Sequence, residues 1–403
     1  MGALEFLCDI RFHRSFVLPP NKETGRSKPV RISYADYGDR HSDAVVLFCG
    51  ALMGTRFCYS PLDGLARAYN VRIIHPDRPG IGGSDPVELH ERIPLWLEMV
   101  PHLLNHLNIS RIAIASHSGG VIYALNTILT YPNLLHPISP YVAFFAPWVH
   151  HSHSGVRNLR ATELLPAPLI GRFASMVRFI NNNITPLAGL SSGFMHGIME
   201  SIHASTPEPA PVPLTPANTL SRTVSLTSRN SHQFLDLDDP NVVEELRRLI
   251  TEYLFAEAID GISDDAKLFL KKPSSIEWCS PSMFWSDIDY VVPLLSKMID
   301  EKNREDGTAR SWTINTFHAQ TDNMVGEKGQ QWFDECWKNP TSTPGLANPG
   351  SRNPTEEPRG SSFEYKSEVV YGSEHNYLMD PAYDAAEKWL WRVRDAFPTF
   401  EVR

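Results

Sequence analysis

The stretch from Ile112 to Gly120 constrains the fold of this chain more than any other. Ile112-Ala113-Ile114-Ala115 is an apolar run of strand length, and Ser116-His117-Ser118-Gly119-Gly120 follows it with no room for a loop. Val121, Leu125, Ile128 and Leu129 then recur at helical spacing until Pro132. A buried strand that becomes a helix this abruptly must bend sharply at Ser118, and residues two positions to either side must be small to avoid collision. The bend would lift the Ser118 hydroxyl above the edge of a sheet and set it at a helix N-terminus, where amides favour developing negative charge.

The surroundings fit such a sheet. Between Val30 and Ala146, short apolar runs alternate with helical patterns, the signature of a mostly parallel sheet flanked by helices, an α/β class. Strands are expected at Arg31–Tyr37, Ala44–Cys49, Val71–His75, Arg111–Ala115 and Pro140–Ala146, and helices at Ile93–Leu107 and Gly119–Thr130. From Pro147 to about Lys272 the alternation gives way to helical groupings such as Phe173, Met176, Phe179, Phe194, Met195 and Met199, which reads as an inserted helical cap. Residues 1–146 and 273–403 would then form the two parts of one core around a cap at 147–272. Residues 205–239, rich in Ser, Thr, Pro and Asn, offer too little burial to offset their ordering entropy and are expected as a mobile loop; residues 338–361 form a second low-complexity loop. A strand at Phe363–Tyr371 and a helix at Pro381–Phe397, started by Asp380, would end the chain.

Composition narrows the partner. The 403 residues carry a net charge of −9, which argues against nucleic acid or an anionic membrane and leaves a small-molecule substrate. With 42% hydrophobic and 21% charged residues the chain is of ordinary globular type. The five cysteines are odd in number, lack C-x-x-C spacing and read as reduced thiols. Met1–Ile10 carries Glu5 and Asp9 and lacks a basic, apolar secretory start, Phe6 replaces the Ser or Thr of a myristoylation signal, and no apolar run reaches membrane-spanning length. A cytoplasmic protein with no integral membrane segment is expected.

The elbow at Ser118 resembles that of the α/β-hydrolase superfamily, and two more segments share the resemblance. Phe48-Cys49-Gly50-Ala51 ends a strand where that family places a His-Gly oxyanion loop, with Cys49 in place of the His, and Asp77-Arg78-Pro79-Gly80-Ile81-Gly82-Gly83-Ser84 is similar to its D-x-P-G-x-G-x-S loop. Ser116 stands where the elbow usually has Gly. The resemblance implies a serine nucleophile, Ser118, with the amides of Ala51 and Gly119 as oxyanion donors, since that hole uses backbone N–H groups. It requires no cofactor and no metal. A serine needs a base oriented by a carboxylate, and in this fold the chain order is Ser, acid, His. His375, in Gly372-Ser373-Glu374-His375 between the last strand and the last helix, resembles the family's G-x-x-H turn.

Two segments compete for the acid. Met283–Trp285 followed by Asp287-Ile288-Asp289 and Val292-Pro293 nominates Asp289, and Trp312–His318 followed by Ala319–Gly326 nominates Asp322. Topology favours Asp322: with a helix at Val325–Trp337 and the strand at Phe363, one helix and one strand separate it from His375, whereas Asp289 leaves an extra pair. His150, His151 and His153 lack metal-ligand spacing and read as a turn leading into the cap. The Met and Phe residues of the cap are core first and pocket lining second, and Arg222-Thr223-Val224-Ser225 is a short kinase-like stretch. The expected activity is hydrolysis of an ester, thioester or lactone of a small apolar substrate through an acyl-enzyme. Carbon–carbon cleavage or acyl transfer with the same triad, and a non-catalytic receptor that retains the pocket, remain as alternatives.

Overall fold

The computed structural model describes residues 1–156, 165–183, 235–280, 283–306, 312–338 and 363–398. Its centre is an eight-stranded sheet: β1 (Arg14–Leu18), β2 (Val30–Gly38), β3 (Val45–Cys49), β4 (Arg72–Pro76), β5 (Ala113–His117), β6 (Tyr141–Phe145), β7 (Trp312–Thr321) and β8 (Phe363–Glu374). The order across the sheet is β1-β2-β4-β3-β5-β6-β7-β8. The β1–β2 and β2–β4 pairs are antiparallel and the others parallel.

Both faces of the inner strands are apolar, so the twofold alternation of a strand sends side chains into two cores. Val45, Leu47, Ile114, Val142 and Phe144 join one, beneath α3 (Arg92–His106), α4 (Gly120–Thr130) and α11 (Gly326–Lys338). Val46, Phe48, Ala113, Ala115, Ala143 and Phe145 join the other, beneath α1 (Ala3–Leu7), α2 (Leu62–Ala68) and α12 (Asp384–Ala396). Trp389 of α12 packs edge-on to Phe145 of β6, ring centroids 5.4 Å apart.

Between β6 and β7 the described residues form α5 (His151–Ser154), α6 (Ala167–Ile170), α7 (Phe173–Asn183), α8 (Pro240–Ala256), α9 (Asp260–Phe269) and α10 (Ile288–Asp306). Asp239 starts α8 by accepting the Asn241 N–H (2.9 Å) ahead of Pro240. Two ion networks bind these helices to the sheet. Asp265 of α9, fully buried, takes Arg78 and Arg92 together with the Tyr123 hydroxyl, and Glu257 joins Arg56, itself bound to the buried Asp77. Among the described residues no helix is long and apolar enough to cross a membrane.

Two expectations are corrected here. The final helix begins at Asp384 rather than Pro381, because the Asp380 carboxylate accepts the Ala382 N–H (2.9 Å) and closes a turn, not a helix. The β5 strand runs to His117, two residues beyond the expected Ala115, since His117 continues the parallel register with Phe145. The expected loops at 205–239 and 338–361 lie outside the described residues except for 235–239 and Lys338, as do Phe194, Met195, Met199 and Arg222–Ser225.

Candidate active site

Strand β5 delivers Ser118 at φ 51°, a left-handed conformation that costs a non-glycine residue energy and persists because its surroundings over-determine it. The Ser118 N–H donates to the Phe145 carbonyl (2.9 Å), while the Ser118 carbonyl accepts from Val121 (3.1 Å) and Trp148 (3.2 Å). The demand for small neighbours has a visible cause at Gly120, where a Cβ would stand 2.1 Å from the Cys49 carbonyl oxygen. Register pairs Ser116 with Cys49 in the adjacent β3.

The hydroxyl of Ser118 is 2.9 Å from His375 Nε2, and His375 Nδ1 is 2.9 Å from Asp322 Oδ2. All three residues are buried. His375 follows β8 on a short helical turn, and Asp322 follows β7. The second Asp322 oxygen accepts the N–H groups of Met324 (2.9 Å) and Val325 (2.7 Å). Burial alone would raise this carboxyl, but the His375 ring and these amides outweigh it and hold it at about 2, so it is ionised. Asp289 instead opens α10, half-buried beside Asp287, and the acid in contact with His375 is Asp322.

Ser118 and His375 meet at the floor of a cavity of about 280 Å³. Its walls come from the loop after β3 (Leu52, Met53), from Ile250, Leu254 and Phe255 at the end of α8, and from Met324 and Met379. Of the cap residues read as core first, Phe173 packs with Ile81, Ile259 and Ile262, a cluster that Leu52, Met53 and Phe255 of the cavity wall also join; the Phe179 side chain, Phe194, Met195 and Met199 lie outside the described residues. At the rim Arg247 pairs with Asp380 (2.8 Å) and lies 5.0 Å from the Tyr377 ring centre. The charges offset one another, and the interior is apolar.

The two expected oxyanion donors differ in state. Gly119 N–H has no acceptor among the described residues, whereas Ala51 N–H donates to the Tyr59 hydroxyl (3.0 Å). The carbonyls of Gly50, Ala51 and Leu52 all accept from Arg78, which is itself held by Asp265. Cys49 points away into the sheet core, where burial raises its thiol pKa, so the absent histidine side chain removes nothing from the cavity. Sequence reasoning missed the roles of Tyr59, His117 and Arg78: His117 lies within the Ser118 elbow and Arg78 within the Asp77–Ser84 loop, but their hydrogen bonds to Tyr59 and to the Gly50–Leu52 carbonyls form only where the fold brings these loops together.

The histidine cluster divides. His150 contacts the Ser152 hydroxyl (2.8 Å), while His153 stacks on Trp332 and its Nε2 is 3.3 Å from Asp287, a carboxylate remote in sequence. Among the described residues no group of three or more His, Cys, Asp or Glu side chains is arranged to hold a metal ion.

No protein-family model matches the sequence, and no curated protein matches it either. Solved structures do. A point variant of an esterase designated E22 superposes with a TM-score of 0.51 at 11% identity, covering 94% of this chain and 98% of that one. A bromoperoxidase from Bacillus anthracis gives 0.50 at 16% identity, covering 95% and 100%. At such identities the likeness is one of fold.

Proposed function

The chain has the α/β-hydrolase fold, and on that premise we propose that it is a serine hydrolase that cleaves an ester, thioester or lactone of a small apolar substrate. The observation that carries this reading is the hydrogen-bonded series from Ser118 through His375 to Asp322 at the floor of the apolar cavity. Ser118 Oγ attacks the acyl carbon as its proton passes to His375 Nε2, and the oxyanion is received by Gly119 N–H and a main-chain amide of the turn after β3. The leaving group takes the proton from His375 as its bond to the acyl carbon breaks. Water then repeats the sequence, giving its proton to His375 and releasing the acid and free Ser118. Asp322 stays ionised throughout and holds the imidazole in the tautomer that presents a bare Nε2.

The residues at 147–272 serve as a cap on a core formed by 1–146 and 273–403, and α8 supplies the wall that sizes the substrate. All five cysteines are unpaired, which suits a cytoplasmic protein.

A fluorophosphonate probe tests the reading. It is expected to label the wild type at Ser118 and to leave Ser118→Ala unlabelled, with aryl-ester turnover lost in parallel. A wild type that resists the probe would identify the cavity as a binding site without a nucleophile.

A further inference from the structure

Behind the triad runs a second hydrogen-bonded series. His117, next to the proposed nucleophile and buried at the cavity wall, has Nε2 2.9 Å from the His375 carbonyl oxygen and Nδ1 2.8 Å from the Tyr59 hydroxyl. A carbonyl can only accept, so Nε2 carries the proton. Burial, and after it the neighbouring His375 ring, lower the His117 pKa to about 3, so the imidazole is neutral and its Nδ1 is bare. Tyr59 must therefore donate to Nδ1, which leaves its oxygen to accept Ala51 N–H (3.0 Å). Every polarity is fixed: Ala51 N–H to Tyr59, Tyr59 O–H to His117, His117 N–H to the main chain of His375.

The ring of Tyr59 is clamped edge-on between Phe48 and His75, with centroids 4.5 and 5.2 Å away, so its hydroxyl has one place to be. That place is available because residue 54 is glycine: a Cβ there would lie 2.6 Å from the Ala51 nitrogen and 2.9 Å from the Tyr59 hydroxyl.

We propose that Tyr59 and His117 are positioning residues that bind the turn after β3, the elbow at Ser118 and the loop of His375 into one unit, so that base and oxyanion donors keep their mutual geometry. In this arrangement Ala51 N–H is a strut rather than an oxyanion donor. The amide of Leu52, a residue that lines the cavity and whose N–H has no acceptor among the described residues, takes the second place beside Gly119. The inference rests on Ser118 being the nucleophile.

Tyr59→Phe is the test, since it removes the hydroxyl and keeps the ring between Phe48 and His75. With sites counted by fluorophosphonate titration, kcat per labelled site is expected to fall about 10- to 100-fold, the size of loss seen when outer-shell partners that orient metal ligands are removed, with KM nearly constant. The same loss is expected in the rate of labelling. In ¹⁵N-histidine NMR of the wild type, His117 should appear as the neutral Nε2–H tautomer, and its Nδ1 signal should move in Tyr59→Phe. The spectrum reports the relay even if the wild type proves unreactive, which separates this inference from the assignment of Ser118. Unchanged kcat per site with only a lowered Tm would make Tyr59 a packing residue and overturn the proposal. A rise in kcat would overturn it too, by showing that the hydroxyl blocks an Ala51 donor.

Discussion

At the scale of single residues, the arrangement turns on which carboxylate faces His375. Asp322 is ionised, buried and fixed by two amides, so its replacement by Asn would keep the shape and lose the acceptor that sets the imidazole tautomer. Asp322→Asn is expected to lower kcat by roughly 10² to 10⁴-fold, and Asp289→Asn, remote at the start of α10, to leave it within about twofold. Steady-state kinetics on an aryl ester distinguishes the two, and the reverse ranking would remove Asp322 from the mechanism. The residues that meet at the cavity floor were legible because each ends a strand in a recognisable turn: Ala115 to Gly120, Ala319 to Gly326, Val370 to Asn376. Tyr59 was not, for its hydroxyl acquires a role only when β3, β5 and the loop of His375 converge, and nothing local at Phe57–Ser60 signals that.

Elements were legible where burial on both faces made strands uniformly apolar, as in β3 and β6. They were obscure where one face is open. In β1 only Phe16 and Leu18 are buried, too short an alternation to distinguish from a loop. At the far edge, β7, β8 and α11 are joined by a polar knot at Asp334, which accepts His318 Nε2 (2.9 Å), the Tyr365 hydroxyl (2.6 Å) and the Ser367 hydroxyl (2.7 Å). Burial would raise this carboxyl, yet the bond to His318, its charge and the two hydroxyls together hold it at about 2. A carboxyl depressed on folding stabilises above its unfolded pKa, and this contribution disappears as pH falls from about 4 through 2. Asp334→Asn is expected to cost about 2 to 3 kcal/mol at neutral pH and to flatten the decline of Tm between about pH 5 and 2.5. A Tm-against-pH curve parallel to that of the wild type would mean that the knot is neutral to folding.

On the scale of the whole molecule, the cavity is a joint product of the sheet and the inserted helices. The core supplies Ser118, His375 and Met53, and α8 supplies Ile250 and Leu254. The wall of the proposed substrate cavity is therefore a helix whose approach is set elsewhere, by Leu246 and Leu249 in the core beneath α1 and by Glu257 against Arg56. Among the described residues the cavity lining holds no unpaired Lys, Arg, Asp or Glu, Arg247 being bound to Asp380, and its volume of about 280 Å³ would limit the length of the proposed substrate. Leu254 is a direct lever on that limit, being buried in the wall and outside the hydrogen-bonded machinery. A larger side chain there takes space from the substrate, because a close-packed interior has little slack to yield. Leu254→Trp is expected to shift the optimum of kcat/KM toward shorter chains in a series of p-nitrophenyl alkanoates. Discrimination should amount to about 1 to 3 kcal/mol per excluded methylene at the limit, while fluorophosphonate labelling of Ser118 persists. A chain-length profile superimposable on that of the wild type would mean that the acyl group lies elsewhere and that α8 does not size the substrate.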